Sequence, residues 1–97
     1  MYKSIKKRDG RTVKFDRKKI EKAIEKAGLE TGEFDAKQAA KLTDKVLAVL
    51  ETRNPKRLPG VEDIQDVVED ILIDSKFKKT AKAYIIYRDQ HKKLREI

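Results

Sequence analysis

No cysteine occurs in these 97 residues. Disulfides, thiolate zinc sites and radical or nucleophilic thiol chemistry are therefore excluded, while the redox compartment stays open. No apolar run approaches the roughly 20 residues that a membrane-crossing helix needs. The start, Met1-Tyr2-Lys3-Ser4, carries no apolar stretch of the kind a secretory signal has. A cytoplasmic chain is the expectation. Repeats, low-complexity tracts and dividing linkers are also missing, so one domain over residues 1–97 is expected. A domain this small has a modest core, which argues against a deep enclosed active site. Histidine occurs once, as His91 among lysines late in the chain, and solvent is its expected surrounding.

What the chain has in abundance is charge. Charged residues make up 43% of it and the formal net charge is +8, which predicts attraction to anions such as nucleotides, nucleic acids or acidic membranes without choosing among them. The cations gather early. Lys6, Lys7, Arg8 and Arg11 surround an Asp9-Gly10 turn, and Lys14, Arg17, Lys18 and Lys19 follow at once. A two-residue Asp9-Gly10 loop would set Ile5 opposite Lys14. A three-residue loop from Arg8 to Gly10 sets Ile5 opposite Val13 and gives Gly10 the left-handed position, so the longer loop is expected. Lys7 then shares a face with Ile5, Val13 and Phe15, its ammonium over the edge of the helices that must cover that face. Asp9 reads as the residue a turn favours before glycine.

Four helices follow. Asp16 is a good N-cap for the first, whose Ile20, Ala23, Ile24 and Ala27 repeat at i, i+3, i+4, i+7, and Gly28 is its expected stop. Asp35 begins the second, with Gln38 as a capping-box partner, Phe34 as a staple, and a stripe of Ala39, Leu42, Val46, Val49 and Leu50. The stretch from Arg53 to Gly60 holds two prolines and a glycine and reads as an exposed basic loop. Ile64, Val67, Val68, Ile71 and Leu72 stripe the third helix, from Val61 to Ile73, and Glu62 and Asp63 suit its N-terminal end. Ser75 is a cap for the last helix. Phe77, Ala81, Tyr84, Ile85 and, more weakly, Ile86, Tyr87 and Leu94 give that helix a broad apolar arc, which predicts a central place for it. The fold class expected is α+β, a two- or three-stranded N-terminal sheet on a four-helix cluster.

The cations of the hairpin, with Lys14, Lys18 and Lys19, stand near the free N–H groups of a helix N-terminus. They read either as a solvated cationic surface or as a pocket that neutralises a triphosphate. Three good charge-assisted hydrogen bonds, each worth roughly 1.5–3 kcal/mol, would supply about micromolar affinity after ordering costs. A capping Asp16 repels a second anion, so it faces a ribose or base if a nucleotide binds. Tyr84 and Tyr87, three apart on an apolar helix, read as core before they read as base-stacking platforms. Glu62, Asp63, Asp66 and Asp70 read as a polar helix face rather than a metal site. None of these motifs supports catalysis.

Three segments, in combination, resemble the ATP-cone domain. They are Ile5-Lys6-Lys7-Arg8-Asp9-Gly10-Arg11-Thr12-Val13-Lys14-Phe15-Asp16-Arg17-Lys18-Lys19-Ile20, Val61-Glu62-Asp63-Ile64-Gln65-Asp66 and Ala83-Tyr84-Ile85-Ile86-Tyr87-Arg88. ATP-cones are regulatory modules of many ribonucleotide reductase catalytic subunits and of the zinc-ribbon repressor of reductase genes. They bind ATP or dATP and convert that choice into altered quaternary structure. The resemblance thus implies a non-catalytic adenine-nucleotide sensor, with magnesium as a candidate companion of the phosphates. Its implied partners are another copy of itself or a reductase catalytic domain, and neither a membrane nor nucleic acid. By position it makes Lys7, Arg8 and Lys19 phosphate ligands and has Val13, Lys14, Phe15, Asp16, Arg17 and Lys18 line the nucleotide. Ile20, Val61, Ile64 and Gln65 would border the adenine or ribose. Gln90 falls where some members have a phosphate-reaching lysine, and Val61 where some reductases have a threonine. Lys82, Arg88 and Lys92 are the cations of the last helix that would take over from Gln90. Reductase catalysis and the repressor's metal ribbon both need cysteine, so the chain is expected to be the sensing module alone, excised or free-standing. The alternative reading is a small basic nucleic-acid-binding domain, motivated by the net charge and the loop from Arg53 to Arg57. Interleaved acids and the lack of a recognition helix or aromatic platform count against it.

Overall fold

A computed structural model describes residues 4–7, 9–53 and 59–96, with the order β1 (Ser4–Lys6), β2 (Thr12–Lys14), α1 (Arg17–Thr31), α2 (Ala36–Arg53), α3 (Val61–Asp74) and α4 (Lys78–Glu96). Arg8 and residues 54–58 lie outside the described residues. The architecture is α+β, an antiparallel hairpin on four helices, as the patterning predicts.

The hairpin takes the three-residue register. Ile5 pairs with Val13 and Lys6 with Thr12, the Lys7 N–H donates to the Arg11 carbonyl at 2.7 Å, and Gly10 sits at φ +88°. A positive φ is what a side chain at that loop position would resist. Ile5, Val13 and Phe15 are half-buried, and Ile5 and Phe15 pack on the core. Among the described residues the sheet has two strands, and β1 is extended on its other edge by a parallel bridge in which the Lys6 N–H donates to the Pro59 carbonyl at 2.9 Å. Pro59 is therefore buried. The segment read as an exposed loop is anchored at its far end, and its first residue, Arg53, closes α2.

The core comprises Ile24 of α1, Leu42, Val46 and Leu50 of α2, and Val67, Val68 and Leu72 of α3, all essentially without solvent. Each such side chain contributes about 1.5–3 kcal/mol by leaving water. The expected central place of α4 is corrected. It buries Thr80, Ala81 and Tyr84, while Ile85, Ile86, Tyr87 and Leu94 are exposed. The central helix is α2, packed against both α1 and α3 and burying six residues, including Thr43, whose hydroxyl donates to the Ala39 carbonyl at 2.8 Å. After Ile85, Ile86 and Tyr87 the sequence is polar from Arg88 to Lys93, so no apolar face continues along the helix to be buried.

Two boundaries also differ from expectation. Helix α1 does not stop at Gly28. It runs to Thr31, and Gly32 at φ 74° ends it, while Gly28 is buried inside the helix with the Phe34 ring lying over it. Ser75 closes α3 rather than capping α4. Its hydroxyl donates to the Leu72 carbonyl at 2.6 Å and accepts the Phe77 N–H at 3.1 Å. The start of α4 is held instead by Glu33, whose carboxylate accepts the Thr80 N–H at 2.6 Å and the Thr80 hydroxyl at 2.7 Å. A carboxylate suits the positive end of a helix.

Desolvation pushes the Glu33 carboxyl up, but the hydrogen bonds from Thr80 outweigh it and hold the group below its ordinary value. A depressed carboxyl contributes stability that is complete above the unfolded-state pKa, about 4.3, and is lost as pH falls through the folded-state value. Thermal melts should therefore show the wild type losing stability more steeply below about pH 4.3 than Glu33→Gln, and the two curves should converge in acid. Parallel curves would remove Glu33 from this role.

Candidate functional site

The turn from hairpin into α1 builds the first half of the site. Asp16, extended at φ −133°, accepts the Lys18 N–H on Oδ1 at 3.0 Å, which fixes the chain between Val13 and Lys19. Beside this turn lies a groove of about 590 Å³, lined by Lys7, Val13 and Lys14 from the hairpin, Phe15 and Asp16 from the connection, and Lys18 and Lys19 from the first turn of α1. The four lysines are exposed, and among the described residues none of them is in an ion pair. Four ammonium groups against one carboxylate, itself committed to the cap, make a local field that attracts anions.

Neighbouring arginines are engaged elsewhere. Asp9 accepts the Arg11 N–H at 3.0 Å and its Nε at 2.6 Å, and these bonds, the backbone one foremost, hold the Asp9 carboxyl below its ordinary value. Arg17 turns away from the groove. It meets Glu21 at 2.5 Å, Asp44 at 2.6 Å and the Ala40 carbonyl at 3.1 Å, tying α1 to α2. The bonds to Glu21 and then Asp44 raise the Arg17 pKa.

The second half is an apolar cleft of about 190 Å³ between α1, α3 and α4. Lys19, Ile20 and Ala23 line it from α1, Val61, Ile64, Gln65 and Val68 from α3, and Tyr84 and Tyr87 from α4. Lys19 borders both groove and cleft, so the two halves meet at its side chain. The α3 wall is fixed at its start by Asp63, whose carboxylate accepts the Gly60 N–H at 2.8 Å. Gln65 Oε1 is buried with no hydrogen-bond partner among the described residues. An orphaned buried acceptor costs about 1–3 kcal/mol, so it is an opening for a ligand's donor. Tyr84 is 5% exposed and Tyr87 38%, their rings 6.4 Å apart, and Tyr87 also meets the His91 ring at 4.1 Å and the Lys26 ammonium at 5.9 Å. Burial pushes the Tyr84 hydroxyl pKa up, so it stays protonated.

Of the residues named from sequence, Lys7, Val13, Lys14, Phe15, Asp16, Lys18 and Lys19 come together in the groove, and Lys19, Ile20, Val61, Ile64 and Gln65 in the cleft. Arg17, Lys82, Arg88 and Gln90 line neither, and Arg8 lies outside the described residues. Lys82 and Gln90 are exposed on α4. Arg88 is pinned to three carboxylates of α3, Asp66 at 2.6 Å, Glu62 at 2.8 Å and Glu69 at 3.5 Å. Its partial burial works against the charge, but the bonds to Glu62 and Asp66 more than offset this and raise its pKa. Sequence reasoning passed over Ala23, Val68, Tyr84 and Tyr87 as lining residues. The three-residue spacing of the tyrosines was the available signal, since it puts both on one side of α4.

A hairpin on four helices, with a lysine-rich groove and a small apolar cleft that share Lys19, is a small α+β module with a candidate ligand site. Which module it is follows from comparison with known proteins. The family model of the ATP cone domain matches residues 3–93, and the chain belongs to that family, whose members are non-catalytic regulatory domains that bind nucleotides. The vitamin B12-dependent ribonucleoside-diphosphate reductase of Thermoplasma acidophilum is 46% identical over 101 residues, spanning 99% of this chain and 13% of that protein. The ribonucleoside-diphosphate reductase subunit alpha of Chlamydia muridarum is 35% identical, spanning 96% of the chain and 10% of the relative. The anaerobic ribonucleoside-triphosphate reductase of Salmonella typhimurium is 33% identical, with 87% of the chain and 11% of the relative covered. The chain thus spans about a tenth of the length of these curated relatives.

Proposed function

We propose that residues 1–97 act as one ATP-cone module in the cytoplasm, sensing ATP or dATP and passing the choice on through altered oligomerisation, as in ribonucleotide reductase regulation. The observation that carries the reading is the junction at Lys19 of a lysine groove with an aromatic cleft that contains an unpaired buried acceptor. In this reading the phosphates, with magnesium as their companion, lie along Lys7 and Lys19, and the family resemblance adds Arg8 to their ligands. The base and ribose enter among Ile20, Val61, Ile64 and Gln65. A glutamine amide pairs bidentately with N6 and N7 of adenine, whereas guanine carries the acceptor O6 beside its N7. The loss of one ribose hydroxyl discriminates ATP from dATP strongly only where it leaves a buried polar partner unpaired. A coupling of about 1–3 kcal/mol suffices for regulation.

The partner, a second copy or a reductase catalytic domain, has exposed apolar side chains to meet on α4 at Ile85, Ile86 and Leu94, and on α1 at Leu29. Phe77 and the large apolar residues of α2 are buried or half-buried and have less to offer.

Calorimetric titration with ATP, dATP, ADP and GTP, beside a DNA duplex at two salt concentrations, tests the reading. Saturable binding selective for adenine is expected. Duplex binding whose log affinity falls steeply with log salt would favour the nucleic-acid alternative instead. Arg53, the described cation of the basic loop, is already paired with Asp70 at 2.9 Å, which weakens that alternative.

A further inference from the structure

The two walls of the aromatic cleft that face each other belong to different helices, Ile64 and Gln65 on α3, Tyr84 and Tyr87 on α4. Arg88 joins those helices just outside the cleft. It follows Tyr87 in the chain and lies one turn beyond Tyr84, and its partners Glu62, Asp66 and Glu69 each adjoin a cleft residue, Val61, Gln65 and Val68. Its side chain is 17% exposed and opens on a separate groove floored by Ile85, not on the cleft. A planar guanidinium engaging three carboxylates over 2.6–3.5 Å fixes the azimuth and spacing of two helices in a way that a single point charge would not.

We propose that Arg88 is a positioning residue for the nucleotide site, holding α3 against α4 so that Gln65 and the two tyrosines keep the separation that a base requires, without itself touching the ligand. The inference rests on the proposed function. The opposite view, that Arg88 serves the phosphates directly, meets the difficulty that its charge is already shared among three carboxylates. The two views differ in the sign of one effect. Neutralising Glu62 and Asp66 removes two negative charges near a polyanion and leaves the guanidinium with Glu69 as its one charged partner among the three. On charge alone that must tighten ATP binding. If Arg88 acts through its partners, the same change loosens the pin and weakens binding.

The test is calorimetric titration of ATP into the wild type, Arg88→Gln and the double variant Glu62→Gln/Asp66→Asn, below the melting temperature of each. The double variant alters largely exposed carboxylates and so keeps the test open should Arg88→Gln not fold. Both variants should raise the Kd for ATP by about 2- to 30-fold. A double variant that binds ATP more tightly would overturn the proposal in favour of a direct phosphate contact. Unchanged affinity with a lowered melting temperature would reduce Arg88 to a structural brace. A wild type that takes no adenine nucleotide would bring down the proposed function and this inference together, whereas wild-type binding with unmoved variants overturns this inference alone.

Discussion

Lys19→Ala should weaken ATP binding roughly tenfold to a hundredfold, the value of one charge-assisted hydrogen bond in a protected site. It should leave the melting temperature without ligand nearly where it was. Both halves of the expectation come from its place. Lys19 is exposed, has no ion-pair partner among the described residues, and is the side chain at which groove and cleft meet. Exposed substitutions of this kind usually change stability by less than about 0.5 kcal/mol. Lys7→Ala should act in the same direction, because Lys7 borders the groove from the hairpin side. Adenosine, which has no phosphates, should bind Lys19→Ala and the wild type alike. Titration calorimetry with the two ligands, paired with melts of the free proteins, makes the check. A variant that unfolds would assign the lysine to structure, and equal losses for adenosine and ATP would move it from the phosphate end to the base.

The parts of this molecule that are local in sequence are those that could be read from it. The hairpin register follows from the need to put Ile5 and Val13 on one face, and the stripes of α1, α2 and α3 from spacing alone, because each is dictated by neighbours within two turns. Most of the groove is equally local, since six of its seven lining residues fall between Val13 and Lys19 and the seventh, Lys7, belongs to the hairpin beside them. What stayed hidden is what depends on distant partners. Arg17 and Arg88 look like any other cation in the string, and only the fold reveals that Asp44 and three acids of α3 engage them. Thr80 passed unnoticed as a polar residue in a helix, yet it is fully buried, with its hydroxyl 2.8 Å from that of Thr31 and bonded to Glu33. The arc from Phe77 to Leu94 suggested a central helix, but breadth of apolar pattern does not say how much of it another element covers.

Gly28→Ala should destabilise the protein by about 1–3 kcal/mol, the range for overfilling a packed interior. That is the opposite of what helix propensity predicts. Inside a helix alanine is favoured over glycine by about 0.8–1 kcal/mol, so on local grounds the substitution would stabilise α1. Packing wins here because the Phe34 ring occupies the space a Cβ would take, and the overlap involves three ring atoms rather than the end of a flexible chain. Retreat toward α4 is blocked, because the ring packs on Phe77, with centroids 4.8 Å apart at 68°. A shift of Phe34 is thus transmitted to Phe77, whose carbonyl accepts the Ala81 N–H at the start of α4. Thermal melts should show a fall of roughly 4–8 °C for each kcal/mol lost. Phe34→Leu should cost stability in the wild type and cost less, or nothing, in the Gly28→Ala background, a favourable coupling that a double-mutant cycle would measure. A rise in melting temperature for Gly28→Ala would mean that this glycine is kept for backbone freedom after all, and that the ring is not held where the packing places it.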